Sequence, residues 1–573
     1  MVLIPILKDP MSSLMKNVNS PSSTHVKFEL PDEKQSIITY YNEDGKESQA
    51  FKLNYIIKTI HSKDTEDALL LKWITEFKDT ILFLDRQNEP ITNALLKLEW
   101  YTKDSKLVRM YQELLWNLVT AHPYYLRNVL MMTIVIFSKV SSENETMSEE
   151  DKLKLQNVHG LLLKITELVP SSQQTFVNML SEKFPYMKSS PCVILHYVEN
   201  MLIVGSYLPS KRYLILECII KRLIQMDVLC SKNAIEEAEY EKQEENQMEL
   251  DGIESKAGNT SDQMALPLAH TLDLLMNCLF TFIKETSFPQ GKDQMNWEAT
   301  KKLYKEILTA FDKIILPTQG CCHAQYILFY ICSLKQELCD GFLDYLWKKV
   351  QNPNVAPVFR QISAFFIGSF LSRAKYICIS TVTACLNLMC NWIHRYIDAH
   401  TSQDLNSHGS FHSVCQTVFY VFAFRNRELL EMKDGYKYLR SLNFDRIVTC
   451  RLNPLRYCDR SIVQNFASIS RNHQIAYVYP VIEKNNRNLL YANNHSSSEE
   501  CAAGAMIPTF FPFDPYLLKK SKHWVEPNYR LYNHDNKEEE SLELMDEEEP
   551  NVNDVIFSYS MSPGFKKSYL LNR

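Results

Sequence analysis

The alternation of apolar and polar residues follows helical spacing from about residue 66 onward. In KLVRMYQELLWNLVTAH, Leu107, Met110, Leu114 and Leu118 fall on one stripe, which is the pattern of a helix with one buried face. Similar segments follow one another with short connections, as in stacked antiparallel helix pairs. The pattern contains no clear strands and no crisp sequence period. It therefore predicts an all-α fold, a HEAT-like α-solenoid of antiparallel helix pairs.

Two interruptions divide this helical pattern. The first sixteen residues after Ile235 contain eight acidic residues and one lysine, and too few apolar residues to bury a face. A second polar stretch, YANNHSSSEECAAGA, precedes the aromatic run FFPFDPYLLKKSKHWVEPNYRLY. We predict seven segments: a poorly ordered arm (1–64), HEAT-like helices (65–235), an acidic flexible loop (236–264), further HEAT-like helices (265–490), a flexible loop (491–509), an aromatic segment packed on the solenoid (510–532) and an acidic disordered tail (533–573).

Composition limits the classes of function. The chain has 573 residues, of which only 13 are glycine, and a net charge of −6. Few glycines disfavour phosphate-binding loops and dense β-turns. A protein whose binding energy comes mainly from DNA phosphates usually carries a basic excess, so direct DNA binding is not expected to dominate.

The sequence contains no recognisable catalytic or metal-binding constellation. P-loop, GxSxG, HExxH and GxGxxG motifs are missing, and Cys321-Cys322-His323 lacks a second ligand pair at zinc spacing. We therefore expect no enzyme activity, no catalytic residue, no metal and no cofactor. The N-terminus does not resemble a signal peptide, and the apolar run at 129–137 is too short to span a membrane. An intracellular protein without membrane contact is the expectation.

Some polar positions are open to partners or modification. Lys519, Lys520 and Lys522 form a basic cluster that indicates either a contact surface, a weak nuclear-import signal or ordinary solvated charge. Ser190 and Ser562 precede prolines in predicted loops or termini, where a kinase has access.

Several blocks, in order, resemble the RNA polymerase I-specific transcription initiation factors known as TIF-IA. The central block is SFLSRAK followed by a helix ending in NWIHRYID. It is followed by FHSVCQTVFYVFAFRNREL, by the RLNPLRYC core at 451–458, and by IAYVYPVIEKNNR and FFPFDPYLLKKSK. LLWNLVTAHPYYLR and LILECIIKRLIQMDV are similar upstream, so the resemblance covers about residues 66–532.

The resemblance implies a HEAT-repeat protein of the nucleus and nucleolus that is controlled by phosphorylation. Such a protein binds RNA polymerase I, bridges it to a promoter-bound selectivity factor (core factor) and forms a homodimer when free. Ser189 and Ser190 resemble a serine-rich, polymerase-facing patch. A pentapeptide that contacts the selectivity factor corresponds to Leu371, Ser372, Arg373, Ala374 and Lys375, with Ser372 in place of the usual alanine. The alternative is a HEAT-type scaffold or nuclear transport adaptor.

A helical wheel separates the two cations of this pentapeptide. Arg373 falls inside the apolar arc, which predicts that its stem packs on the core and that its charge pairs with a carboxylate or with carbonyls of the helix end. Lys375 lies outside the arc and is the better candidate for partner contact. Ser372 is predicted on the polar side.

Overall fold

The computed structural model describes residues 46–62, 65–139, 145–250, 263–289, 294–400, 408–495, 507 and 510–532. Over these residues the prediction of an all-α fold is confirmed, because the regular elements are helices and the only pairing of β type is a single bridge. The chain divides into two compact units, residues 1–129 and 130–573. This division does not coincide with the acidic segment, where the sequence predicted a boundary between two sets of helices. Ser562, with the whole of the predicted tail, and most of the predicted arm lie outside the described residues.

The first unit is a small helical array. Helix α2 packs on α4, and α1 packs on α3. The hydroxyl of Tyr111 donates a hydrogen bond of 2.5 Å to the carbonyl of Leu95, and its ring stacks on Trp100. The helices are α1 (Lys46–His61), α2 (Asp67–Asp79), α3 (Glu89–Leu96), α4 (Ser105–Ala121) and α5 (Leu126–Ile136), which contains the point of division; short 3₁₀ turns cover Ile81–Phe83, Trp100–Thr102 and Pro123–Tyr125.

The second unit continues with longer helices. Its first members are α6 (Glu149–Leu168), α7 (Ser172–Glu182), α8 (Pro191–Tyr207), α9 (Arg212–Leu229), α10 (Lys232–Leu250), α11 (Pro267–Ser287), α12 (Trp297–Ala310), α13 (Tyr326–Ser333), α14 (Gln336–Gln351), α15 (Pro357–Arg373) and α16 (Ile379–Ala399). The remainder are α17 (Gly409–Glu431), α18 (Gly435–Ser441), α19 (Phe444–Thr449), α20 (Pro454–Tyr457), α21 (Arg460–Asn472), α22 (Tyr479–His495) and α23 (Lys522–Val525), with a π turn at Phe311–Ile315 and a 3₁₀ turn at Glu526–Asn528. None of these described helices meets the length and apolarity needed for a membrane span.

Helices α15 and α17 form the central pair of the second unit. Helix α15 also packs on α14, and α17 packs on α16 and α21. The two axes approach closely at Gly368, where an added Cβ would lie 3.1 Å from Cγ2 of Thr417. The Thr417 hydroxyl donates a 2.9 Å hydrogen bond to the carbonyl of Ala364. A larger residue at position 368 would force this pair apart.

Residues 510–532, the aromatic segment, lie against this central pair and against α11 and α13. The ring of Phe513 contacts Phe329, Phe366 and Phe370, with centroids 5.3–5.8 Å apart. The backbone N–H of Phe513 donates to the hydroxyl of Ser369. Because α15 is covered on this side too, every residue from Ser363 to Arg373 is buried.

Asp273 of α11 holds the same segment at Lys520 and Ser521. This buried carboxylate accepts hydrogen bonds from the backbone N–H groups of Lys520 and Ser521, at 2.7 and 2.8 Å, and from the Ser521 hydroxyl. Four-residue helix α23 follows directly. This buried acid is thus one of the contacts that position the segment against the helical array.

The predicted acidic loop begins as a helix, which corrects the sequence interpretation. Helix α10 runs through residue 250, since alanine, glutamate, glutamine and lysine favour helix even without an apolar face. Over residues 232–242, where the structure describes its side chains, Ile235 and Glu239 are buried. The Glu239 carboxylate accepts hydrogen bonds from the backbone N–H of Ala265, at 2.8 Å, and from Nζ of Lys519, at 2.6 Å.

The Cys321-Cys322-His323 cluster has a structural explanation. Asp227, fully buried at the end of α9, accepts hydrogen bonds of 2.8–3.0 Å from the backbone N–H groups of Cys322, His323 and Ala324. Its second oxygen lies 2.9 Å from Nδ1 of His323. Burial alone would raise the pKa of Asp227, but the His323 ring and the backbone donors outweigh this effect and lower that pKa.

We predict that Asp227→Asn destabilises the second unit by about 2–4 kcal/mol at pH 7, because three backbone N–H groups, two of them buried, lose a charged acceptor. The folded pKa lies below the ordinary value of 3.8. The carboxylate's contribution is therefore complete above about pH 4 and is lost as pH falls through the lower, folded pKa. Urea unfolding at pH 7, 5 and 3 measures the free energy of unfolding of both proteins. The difference between variant and wild type should narrow only at the lowest pH.

The control is Asp340→Asn on the exposed face of α14, which should change the free energy of unfolding little at any of these pH values. Equal stability of Asp227→Asn and wild type at pH 7 would contradict the prediction.

Candidate functional site

The pentapeptide 371–375 ends α15 and begins the turn into α16. Leu371, Ser372, Arg373 and Ala374 are buried, whereas Lys375 is exposed. Ser372 was predicted on the polar side of the helix, and this is wrong, because Gly368 on the same side of the wheel packs against Thr417 of α17, so this side faces a neighbouring helix and not solvent. Arg373 is buried, as the wheel predicts.

Backbone carbonyl groups at the end of α15 accept hydrogen bonds from an arginine of the neighbouring helix. Nε of Arg425, on α17, donates a 2.9 Å hydrogen bond to the carbonyl of Leu371. Its Nη2 donates to the carbonyls of Ala374 and Ile377, at 3.2 and 3.4 Å. A helix end leaves such carbonyls without intrahelical partners, so Arg425 acts as a side-chain cap supplied from outside the helix.

The charge of Arg425 is balanced by Glu428, one turn later on α17. Both carboxylate oxygens accept from Nη1, at 3.1 and 2.8 Å, and the same carboxylate pairs with Arg530 of the aromatic segment. Burial lowers the pKa of Arg425 to about 10, which leaves it cationic at neutral pH. One glutamate thus joins α17 to both the end of α15 and the aromatic segment.

Arg373 makes a second connection to the aromatic segment. Its guanidinium lies over the rings of Phe424 and Tyr529, at 4.7 and 5.3 Å from their centroids, and Nη1 donates to the carbonyl of Arg530 at 3.3 Å. Burial alone would lower the pKa of Arg373, but Tyr529, nearby Tyr420 and Asp514 outweigh that effect and raise it. The residue is therefore a cation inside an aromatic box.

The backbone of the pentapeptide also pairs with the aromatic segment. Ala374 and Tyr529 form an isolated antiparallel bridge. The N–H of Arg530 donates to the carbonyl of Arg373 at 2.7 Å, and the N–H of Lys375 donates to the carbonyl of Asn528 at 2.9 Å. These bonds leave the Lys375 side chain directed outward as the exposed member of the pentapeptide.

Lys375 borders a cleft of about 600 Å³ formed with the end of the aromatic segment. Lys522 and Arg530 also line it, as do Tyr529 and Leu531. Lys522 is the member of the basic cluster 519–522 that faces this cleft. Lys519 pairs with Glu239, and Lys520 pairs with Glu145.

The two serines predicted to face the polymerase lie elsewhere in the second unit. Ser190 is the N-cap residue of α8 and makes no side-chain capping hydrogen bond; it is exposed, and Ser189 is half-buried. Helix α8 packs on α9 and α11, so the structure does not bring these serines together with the pentapeptide.

Sequence reasoning did not single out the residues that hold the pentapeptide in place. Arg425 and Glu428 stand in the block FRNREL, and Arg530 in the run NYRLY, without a spacing that links them to position 373. The one available signal was charge inside otherwise apolar surroundings, since Arg425 follows the buried run VFYVFAF.

Comparison with known proteins gives a consistent result. The profile of the family described as RNA polymerase I specific transcription initiation factor RRN3 matches residues 35–537. A mouse protein named RNA polymerase I-specific transcription initiation factor RRN3 is 34% identical over 527 residues, covering 86% of this chain and 80% of that protein. A Schizosaccharomyces pombe protein of the same description is 27% identical over 507 residues, covering 82% of this chain and 80% of that protein.

A solved structure shows the same fold. The crystal structure of RNA Polymerase I Transcription Initiation Factor Rrn3 aligns with a TM-score of 0.69 at 20% identity, covering 86% of this chain and 97% of that chain. This likeness agrees with the helical-repeat architecture predicted from the periodicity.

We predict that Arg425→Met lowers the free energy of unfolding by about 3 kcal/mol, because buried carbonyls at the end of α15 lose their donors. Arg373→Met should also destabilise, through loss of the cation–ring contacts and of the bond to the segment. The matched control, Lys375→Met, should stay within about 0.5 kcal/mol of wild type. Urea unfolding monitored by tryptophan fluorescence measures all three, and a Lys375→Met loss as large as that of Arg373→Met would refute this assignment.

Proposed function

This chain belongs to the family of RNA polymerase I-specific transcription initiation factors RRN3, and from that premise we propose that it binds RNA polymerase I and bridges it to a promoter-bound selectivity factor. It acts in the nucleus, at the nucleolus, without catalysis of its own. The observation that carries the second half of the proposal is the geometry of the pentapeptide. Four of its residues are buried in structural contacts, and Lys375 projects to solvent.

This arrangement suits a contact that is specific in position but small in area. The backbone bridge and the two buried arginines fix the Cα of Lys375, so the cation is presented from a rigid base. A rigidly presented lysine loses less freedom on binding than one on a mobile loop. An acidic group on the selectivity factor is the complementary partner.

The serines of the loop before α8 support a regulatory role. A phosphate on Ser190 would lie at the N-terminus of a 17-residue helix, where negative charge is favourable for the fold. Added charge there would repel an acidic polymerase surface without unfolding the loop. We further propose that phosphorylation of Ser189 or Ser190 weakens polymerase binding, and that the free protein forms a homodimer.

We predict that this chain restores ribosomal RNA precursor synthesis in cells lacking their own factor, and that Lys375→Glu does not. The charge reversal should leave polymerase I capture intact while weakening selectivity-factor binding about tenfold, equivalent to about 1.4 kcal/mol. Co-purification from nuclear extract reports both interactions. Import cargo in place of polymerase subunits would instead favour the transport adaptor.

We predict that Ser189→Asp with Ser190→Asp lowers polymerase I affinity about fivefold to tenfold, on the order of 1 kcal/mol for like charges at short range. The isosteric pair Ser189→Asn with Ser190→Asn is the control and should bind like wild type. Because the added charges suit the N-terminus of α8, the melting temperature should not fall. Unchanged co-purification of polymerase I with the aspartate variant would count against the serine assignment.

A further inference from the structure

The cleft beside Lys375 has unbalanced positive charge. Lys375, Lys522 and Arg530 line it, and Glu526 is the acidic residue on its wall. Arg530 is already paired with Glu428, and Lys522 lies 4.0 Å from Glu526. Among the residues that the structure describes, no carboxylate forms an ion pair with Lys375. Two lysines therefore share one nearby acid, and Lys375 has none of its own.

The floor of the cleft is apolar and belongs to the segment that leads out of it. Tyr529 and Val525 are buried beneath the lysines, and Leu531 lies half-buried at the edge. Tyr532 anchors the exit, with its ring 5.1 Å from that of Phe424. The chain beyond residue 532 consequently starts at the rim of the cleft.

The sequence after Tyr532 is complementary to the cleft in charge. Between Asp535 and Glu549, nine of fifteen residues are acidic and one is lysine. The run also carries Leu542, Leu544 and Met545, which an apolar floor could accept. The first acidic residue is three positions past Tyr532, and Glu538 is within about 20 Å of chain length, so the run can reach the cleft.

We propose that the acidic segment 535–549 binds in the cleft of its own chain and covers Lys375. Tethering makes this intramolecular contact effective even when the isolated ion pairs are weak, because a short linker gives an effective concentration in the millimolar range. The contact is electrostatic and weakens with salt. The docking stands independently of the proposed role of Lys375, whereas its consequence, competition with the selectivity factor, rests on that proposed function.

Zero-length carbodiimide crosslinking of the full chain tests the contact directly. Crosslinks should join Lys375 or Lys522 to carboxylates of residues 535–549 at low salt and disappear at about 1 M salt, where the screening length is about 3 Å. Mixing ¹⁴N- and ¹⁵N-labelled chains distinguishes the source of the tail. Crosslinks within one chain carry a single label, so mixed-label crosslinks at the share expected from random pairing of chains would overturn self-occupancy, and the absence of any crosslink at low salt would overturn the contact.

Lysine reactivity gives a second, independent measurement. Acetylation of Lys375, followed by peptide mass spectrometry, should be at least about threefold slower in wild type than in a full-length variant with Glu538, Glu539, Glu540, Glu547, Glu548 and Glu549 changed to glutamine. Lys437, exposed on α18 and not part of the cleft, is the internal control and should react equally in both chains. Equal Lys375 rates in the two proteins would overturn the proposal.

The same glutamine variant separates this inference from the proposed function. Tighter binding of the variant to the selectivity factor would support competition at Lys375. If Lys375→Glu leaves precursor synthesis unchanged while crosslinks and slow acetylation persist, the proposed function of Lys375 fails and the docking of the tail stands. Protection of Lys375 that appears only after the selectivity factor is added would overturn the docking.

Discussion

The end of α15 lies inside the protein, and its unpaired carbonyl groups are the constraint on which this region depends. A helix that ends at the surface leaves its last carbonyls to water, but α15 is enclosed by α14, α17 and the aromatic segment. Arg425 supplies the missing donors from the side, through bonds to the carbonyls of Leu371, Ala374 and Ile377. An arginine can do this because its planar guanidinium holds several donors in a fixed arrangement.

That solution brings a second requirement, since a buried cation needs a compensating charge. Glu428 provides it and, by also pairing with Arg530, makes the aromatic segment part of the same network. Arg373 then closes the arrangement from the other side, with its guanidinium between Phe424 and Tyr529. Removal of the segment would therefore take a partner from the network of Arg425 and Arg373 and would uncover several aromatic rings. The segment thus belongs to the fold although it contains little regular structure.

Local periodicity was enough to predict the fold class, because each amphipathic helix records its buried face in its own sequence. It also placed Arg373 in the apolar arc. It failed for Ser372, because this side of α15 packs against α17, as at Gly368 and Thr417, and a contact about 50 positions away adds no signal to α15 itself. Asp227 with His323, and Arg425 with the end of α15, are likewise contacts across about 50–100 positions that no single-segment pattern contains. The acidic composition of residues 236–250 was interpreted as a loop, although its residues are good helix formers and Glu239 finds cationic and backbone partners.

The two cations of the pentapeptide lie in opposite surroundings although a single residue separates them. Arg373 is the last residue of α15 and turns into the aromatic box, whereas Lys375 lies beyond the helix end and turns outward. The backbone bonds on both sides of the bridge fix this direction. A sequence with arginine and lysine separated by one residue therefore needs both positions: the buried cation holds the aromatic segment, and the segment in turn builds the cleft in which the exposed cation is presented.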